Sequence, residues 1–506
     1  MSSKYSPIPV IIGVGQVNDR GETSETDSAL DSLGLMQAAL RAADEDAGGG
    51  WLARLDSLGV VDQISFPQLG DVSLPLADLV GASPRFCYKS GYASGDSPLL
   101  LLNEAANRIG AGEITVAAVA GGEALRTAAR RAARAANESG APAENAVRAV
   151  AVRRGPSYRH RYGLIAPVDV YPLYENAARA AYRQTLAQAQ AESAEIWSRF
   201  SKVAAENPGA WLRRVISAEE IQTATPANRP IAFPYLKLMV ANSSVNQGAA
   251  FIVTSLEEAR ARGIGDERMI FVGRGAAAHE PVDLMARANY SESPGMTVSL
   301  RKALELNDLT TAELDYVELY SCFPCVPKMA RRVIDWPLNR AASVFGGLTF
   351  GGGPVGNYMS HAVASLVLKL RVSGRCGLLF ANGGLATHNH SMVLSREPFE
   401  PDIFPQNFDF QAEADALRGV VPAVDENYLG TATLETYTVF YDRGGAPQGG
   451  AIIGRAPNEA RFIAKVPVDD AATIAWLTSG EQEPVGTRGL AIKGADGDTC
   501  WVRSFQ

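Results

Sequence analysis

Gly112-Glu-Ile-Thr-Val-Ala-Ala-Val-Ala-Gly121-Gly122 returns later in the chain as Gly374-Arg-Cys-Gly-Leu-Leu-Phe-Ala-Asn-Gly383-Gly384. Both stretches hold a glycine, a short apolar run and a closing Gly-Gly at the same spacing, and each reads as a buried strand after a helix end. Two further pairs keep almost the same shift. Gly13 of Pro9-Val-Ile-Ile-Gly13-Val-Gly15 matches Gly273 of Met269-Ile-Phe-Val-Gly273-Arg-Gly275, and Leu55-Asp56 matches Leu314-Asp315. Three anchors in one order at a near-constant shift indicate a duplicated α/β half rather than a solenoid, whose period would be tens of residues.

Outward from these anchors, residues 8–15 and 55–65 read as strands and 28–45 as an amphipathic helix. Ser94-Gly-Asp-Ser-Pro98 opens a helix through Leu99–Ile109, with Ser97 expected as N-cap and Pro98 at the first helical position. In the second half the matching strand is Leu378–Ala381 and the matching helix His361–Leu370. Before that helix comes Phe350-Gly-Gly-Gly-Pro354-Val-Gly356-Asn357-Tyr358. Glycine at this density lets backbone approach a ligand, and the loop feeds a helix N-terminus, where backbone N–H groups are free. Residues 123–240 form a long insertion. It starts with Arg126, Arg130, Arg131 and Arg134, a face more often solvated than ligand-binding, and continues with helices over about 172–190 and 192–206. From about 405 the pattern turns to strands at Thr431–Tyr441, Gly450–Arg455, Arg461–Val466, Arg488–Lys493 and Thr499–Ser504. The expected organisation is a first half over 1–265 that includes the insertion, a second half over 266–404, and a β-rich domain over 405–506.

The chain has 506 residues, 46% hydrophobic and 20% charged, with a net charge of −8. That length exceeds one compact core, and the composition is that of an ordinary soluble protein. Net negative charge without a basic stripe argues against nucleic acid. No apolar run approaches the roughly 18–20 residues of a membrane span, and the first residues lack a signal core. Five scattered cysteines suit a reducing cytoplasm. Cys322-Phe-Pro-Cys325 has no second ligand pair, so no metal is expected. Gly13-Val-Gly15 is not a dinucleotide fingerprint.

A duplicated α/β half with a long insertion, each copy ending in strand–Gly-Gly, resembles the thiolase superfamily. Asn242-Ser-Ser-Val-Asn-Gln-Gly248-Ala-Ala is similar to the segment that closes the first thiolase half, with Gln247 where Asp is usual. Glu318-Leu-Tyr320-Ser-Cys322-Phe323 resembles E-x-N-E-A-F, Gly352-Gly353-Pro354-Val-Gly356 resembles G-H-P-x-G, and Ala381-Asn-Gly383-Gly384 resembles C-x-G-x-G. Pro167-Val-Asp-Val-Tyr-Pro172, Phe233-Pro-Tyr-Leu-Lys237 and the domain after 405 are similar to the type 1 thiolase-like proteins. The resemblance implies two βαβαβ halves in five αβαβα layers, with a helical insertion and a small C-terminal β-rich domain.

It also implies a loss. The position of the thiolase nucleophile falls on or beside Gly95, its histidine on Gly353, its second cysteine on Ala381 and its oxyanion-orienting side chain on Tyr320. Backbone donors at Gly95 and Gly383 would still polarise a thioester carbonyl. Tyr320, His361 and His388 are the candidate catalytic residues. Tyr320 would serve as acid–base if its pKa were lowered, and His361 lies one turn after Tyr358. His388 and His390 follow Gly383-Gly384 on one strand face, whereas His160 and His279 carry no motif. Gly95, Gly353, Gly383, Asn357 and Cys322 are the candidate substrate-binding residues. Asp96 reads as a cap, and Cys87 and Cys376 as structural thiols.

The functional expectation is a thiolase-like protein of the acyltransferase class in lipid metabolism. It would bind CoA or acyl-CoA as ligand or substrate, hold no tightly bound cofactor, and carry out little ordinary thiolysis. Two alternatives stand beside it: a retro-aldolase-type C–C lyase acting through Tyr320 with a partner protein, and a non-catalytic acyl-CoA or lipid-binding subunit. A homodimer is the other assembly expected.

Overall fold

A computed structural model of the chain describes residues 7–21, 29–139, 157–400 and 402–503. The start of the helix expected over 28–45, residues 140–156 of the insertion and Ser504 lie outside these ranges. The first half contributes β1 (Pro9–Asn18), β2 (Ser57–Val60), β3 (Phe86–Lys89) and β4 (Val116–Glu123). The insertion adds a small hairpin, β5 (Pro230–Ala232) and β6 (Tyr235–Leu236). Then come β7 (Gln247–Ser255), β8 (Ile270–His279), β9 (Tyr316–Leu319), β10 (Cys376–Gly383) and β11 (His388–Ser395). The C-terminal part holds β12 (Gly430–Tyr441), β13 (Pro447–Arg455), β14 (Arg461–Val466), β15 (Arg488–Lys493) and β16 (Thr499–Arg503).

The large sheet runs β3-β2-β4-β7-β1-β8-β11-β10-β9. Its two parts mirror each other. On each side of the centre comes the first strand of a half, then its last strand, and then parallel strands outward: β4 with β2, and β10 with β9. The repeat is therefore visible in topology as well as in sequence. Among the described residues, strand pairing joins the halves at Val10↔Phe271 and Ile11↔Ile270 of β1 and β8.

Two helices, Ser97–Gly110 and Tyr358–Val372, pack on each other, and each touches strands from both halves. Helix Ser32–Asp46 covers β1, β4 and β7 on one outer side, and helix Pro294–Leu306 covers β8 and β11 on the other. The result is five layers of helix and sheet, as the resemblance implied. The strands β4 and β10 are buried along their whole length and read as apolar, small-residue runs because helices cover both faces. Close layer packing explains Gly13 and Gly15: a Cβ on either would collide with backbone carbonyls of Ala43 or Ala39 in the covering helix.

In the C-terminal part, β12 pairs with both β13 and β15, and the order β13-β14-β16-β15-β12 closes on itself as a five-stranded barrel. The β5–β6 hairpin extends it from β12 through Phe440↔Ala232. Sequence reading missed two helices after residue 405, Gln411–Leu417 and Ala471–Ser479, the second of which packs Ile474, Trp476 and Leu477 into the barrel core. The two insertion helices also differ from expectation, spanning Pro167–Ala181 and Leu186–Glu206. The break between them is set by a reciprocal cap, in which Thr185 Oγ1 accepts the Gln188 N–H and Gln188 Oε1 accepts the Thr185 N–H. No helix among the described residues is long and apolar enough to cross a membrane.

Candidate functional site

The two central helices begin near each other, and the loops that feed them meet the end of β10. Ser94, Gly95 and Asp96 are all buried ahead of helix Ser97–Gly110. Asp96, not Ser97, takes the N-cap position. The expected Ser97 cap fails because its hydroxyl is drawn back to the Tyr92 carbonyl at 3.2 Å. The Asp96 carboxylate does not cap either, since it accepts a hydrogen bond from Ser94 Oγ instead.

Gly95 faces the second half directly. A Cβ built on it would lie 2.5 Å from Tyr320 Oη and still closer to the Asn382 carbonyl oxygen. The space of a side chain at position 95 is thus occupied by a phenol. Gly383 meets the other side of the same loop: a Cβ there would collide with Ser94 Oγ and lie 2.7 Å from Asp96 Oδ1 and 3.2 Å from the Gly95 nitrogen. Gly95, Tyr320 and Gly383, picked out from different parts of the sequence, are therefore one cluster. The cluster also holds a serine hydroxyl and a carboxylate that sequence reading did not place together.

Tyr320 lies just past β9 and is 6% exposed. Burial pushes its phenol well above the usual range, and the nearby Cys322 and Asp96 add to the shift. It is therefore a proton donor, not the base that a lowered pKa would have made. Its hydroxyl bonds to no other described residue, and the oxygen is not fully enclosed. An edge-to-face contact with Tyr358 (ring centroids 5.6 Å, 85°) fixes the ring. Tyr358 Oη in turn donates to Glu318 at 2.7 Å. Glu318 also accepts from Ser343 Oγ and from the Val344 and Phe345 amides, yet burial still pushes it up to about 7.

His361 stands at the far end of this aromatic chain. It stacks on Phe345 at 4.9 Å, and Phe345 packs on Tyr358. The imidazole is fully buried, with Nδ1 2.9 Å from Gln16 Oε1 and Nε2 unpartnered. Burial drives its pKa down to about 3, so it is neutral. Asn357, at the start of the same helix, is 1% exposed and has neither amide atom paired. Gly121 makes room for it, because a Cβ on that glycine would collide with the carboxamide. Gly353 donates its N–H to the Asn242 carbonyl at 2.9 Å, and a Cβ there would be tight against that backbone.

His388 lies beside Gly384, with Tyr92 Oη 2.9 Å from its Nε2 and the His279 ring 4.9 Å away. His279, which carried no motif, is the last residue of β8 and pairs with His388 across the strands. His390 is buried and pushed down to about 4, with Asp96 opposing that shift.

Cys322 borders Tyr320 and Tyr171, and burial pushes its thiol up to about 12. Burial raises the other four thiols as well, at Cys87, Cys325, Cys376 and Cys500. None is held as the thiolate that a nucleophile requires.

Tyr171, from the insertion helix, is the residue that sequence reading missed most completely. Its hydroxyl accepts the Ala386 N–H at 2.9 Å and lies 3.3 Å from the Gly384 carbonyl and 3.4 Å from Asn382 Oδ1. Its ring stacks on Phe323 at 4.4 Å. Only its place in the Pro167–Pro172 motif marked it.

A closed barrel following a duplicated five-layer α/β core is specific enough to compare with known proteins. Residues 409–496 match the family model for the thiolase-like protein type 1 additional C-terminal domain. The monomeric SCP2-thiolase like protein type 1 from Mycobacterium smegmatis is 31% identical, with a TM-score of 0.80 over 98% of this chain and 99% of that one. The chain belongs to the type 1 SCP2-thiolase-like proteins.

Thiolases share the fold at lower identity. The human mitochondrial 3-ketoacyl-CoA thiolase, solved in complex with CoA, is 15% identical over 78% of this chain and 100% of that one, with a TM-score of 0.59. An Ltp2-ChsH2(DUF35) aldolase is 19% identical over 78% and 99%, with a TM-score of 0.58. No curated protein matches the sequence.

Proposed function

We propose that this protein binds a coenzyme A thioester at the cluster of Gly95, Tyr320 and Gly383, and that the cysteine-based route of the thiolases is closed to it. The observation that carries this reading is the relation of Gly95 to Tyr320. The residue that would bear the nucleophile has no side chain, and a buried phenol fills the place. Five thiols raised by burial leave no substitute cysteine. The thiolase-like fold supports the acyltransferase class and a place in acyl-CoA and lipid metabolism. The CoA complex of the human thiolase supports the choice of ligand. Cysteines that are all free support a reducing compartment such as the cytoplasm.

The retro-aldol reading would need Tyr320 as a base, and burial moves its phenol the opposite way. The binding reading needs only a hydrogen-bond donor, which a protonated phenol supplies.

Calorimetry with CoA and acetyl-CoA, together with an acetoacetyl-CoA thiolysis assay, tests the proposal. Saturable binding with no thiolysis is the expected result. Thiolysis at ordinary thiolase rates, or no binding of either ligand, would overturn it.

A further inference from the structure

Ser94 precedes the vacant position by one residue, and its surroundings are those of an activated hydroxyl. Ser94 Oγ donates to Asp96 Oδ1, both residues are buried at 4% and 6% exposure, and both pack on Gly383. A carboxylate that already holds a hydroxyl proton in a hydrogen bond can take it as the oxygen attacks. A second observation is independent of that pair. Tyr320 is nine-tenths buried, its hydroxyl has no partner among the described residues, and it is aimed at the adjoining residue, 2.5 Å from the Cβ position of Gly95. That leaves the donor open to an acceptor on a ligand. Nucleophile, base and hydrogen-bond donor thus surround one glycine.

We propose that Ser94 is an acyl acceptor: it takes the acyl group from a coenzyme A thioester, with Asp96 as general base and Tyr320 as hydrogen-bond donor to the carbonyl oxygen. This rests on the thioester-binding reading above. Ser94 Oγ forms a bond to the thioester carbonyl carbon, and its proton passes to the Asp96 carboxylate. The carbon–sulfur bond then breaks, and the thiolate leaves with the proton that Asp96 took from Ser94, while the Tyr320 phenol donates a hydrogen bond to the carbonyl oxygen. Asp96 is thereby returned to its carboxylate form. The products are an acyl-Ser94 ester and free CoA, with no oxidant, reductant or metal required. Only a C–S bond is broken, so the step differs from thiolysis, which breaks a C–C bond. It also accounts for a thiolase-like centre without a reactive thiol: the nucleophile is an oxygen displaced by one residue. The acyl ester is then open to water or to another hydroxyl or amine, which places the activity among thioester hydrolases and acyltransferases.

The test incubates the full-length protein with acetyl-CoA, quenches in acid, and reads intact mass, peptide mass and released thiol. The expected result is one acetyl group on Ser94, stable to neutral hydroxylamine as an oxyester is, with a matching burst of free CoA. Ser94→Ala should abolish the adduct while calorimetry still shows acetyl-CoA binding. Asp96→Asn, which can keep a hydrogen bond to Ser94, should slow acylation by about 100-fold or more. Tyr320→Phe, which removes the hydrogen-bond donor of the binding cluster, should slow acylation and also weaken acetyl-CoA binding. Acetyl-CoA bound without any adduct would overturn the serine proposal and leave the binding reading standing. An adduct that persists in Ser94→Ala, or that maps to Cys322 and is cleaved by hydroxylamine, would also overturn it. No acetyl-CoA binding would remove both readings.

Discussion

Tyr320 Oη lies 2.5 Å from where Gly95 would carry a Cβ, so the loss of one side chain and the placement of the other are a single event in the packing. Restoring a cysteine at position 95 should therefore not restore a thiolase. The new sulfur would have to displace a buried phenol and press on the Asn382 carbonyl, and overpacking of this kind costs about 1–3 kcal/mol. Gly95→Cys should lower the midpoint of urea unfolding and give no acetoacetyl-CoA thiolysis. Adding Tyr320→Ala should recover part of the stability. A fully stable Gly95→Cys would mean that the two positions do not compete for space.

The buried histidine His361 should limit stability in acid. Its folded pKa is about 3 against 6.5 for the free side chain, so the unfolded chain binds the extra proton between those values. Its stabilising effect is complete above pH 6.5 and is lost as pH falls toward 3, by up to about 5 kcal/mol at about 1.4 kcal/mol per pKa unit. In urea titrations from pH 7.5 to 4.5, His361→Gln should lose less stability than the parent. Parallel curves would place the acid sensitivity elsewhere.

These two tests concern residues that sequence reading placed in one pocket, Tyr320 as the sharper candidate and His361 behind it, and they show where it reached its limit. The repeated strand–Gly-Gly segments led correctly to the five-layer core, because apolar runs and backbone-limited glycines leave a strong local trace. The glycines of the site were legible for the same reason: Gly95 and Gly383 matter for what they lack. Orientation was not legible. His361 and Tyr320 both looked like pocket residues, yet one stacks on Phe345 inside the core and the other faces Gly95. Asp96 looked like a capping residue, and Ser94 only like the start of a helix-opening segment, until the fold brought Gly383 against both. Tyr171 could not be ranked at all, because the partners of its hydroxyl are more than two hundred residues away in sequence.

Glu318 should produce a pH effect of the opposite sign. Burial raises it from 4.5 to about 7, so the folded chain holds the extra proton in that interval. Its stabilising effect is present below pH 4.5 and is lost as pH rises through 7, amounting to about 3 kcal/mol. Relative to the parent, Glu318→Gln should lose less stability between pH 5 and 8. Tyr358→Phe removes the 2.7 Å donor that favours the carboxylate, and should steepen the loss. A Tyr358→Phe curve parallel to the parent would show that this hydrogen bond does not set the titration.

Arg461 should govern how firmly the barrel holds the site. The side chain is fully buried, pairs with both oxygens of Glu435 at 2.7 and 2.9 Å, and donates to the carbonyls of Met285 and Arg287. Arg287 then donates to the carbonyls of Leu385 and Ala386, in the loop that follows Gly383-Gly384. Glu435→Ala leaves a buried guanidinium without its counter-ion, a change worth about 3–5 kcal/mol. Beyond lowering the melting temperature, it should speed amide hydrogen exchange in 284–288 and 384–388 more than in β1 or β7. Glu435→Gln, which keeps a hydrogen-bond acceptor, should do both to a smaller degree. Faster exchange confined to the barrel strands would show that the C-terminal domain is anchored to the core but does not steady the loop beside Tyr320.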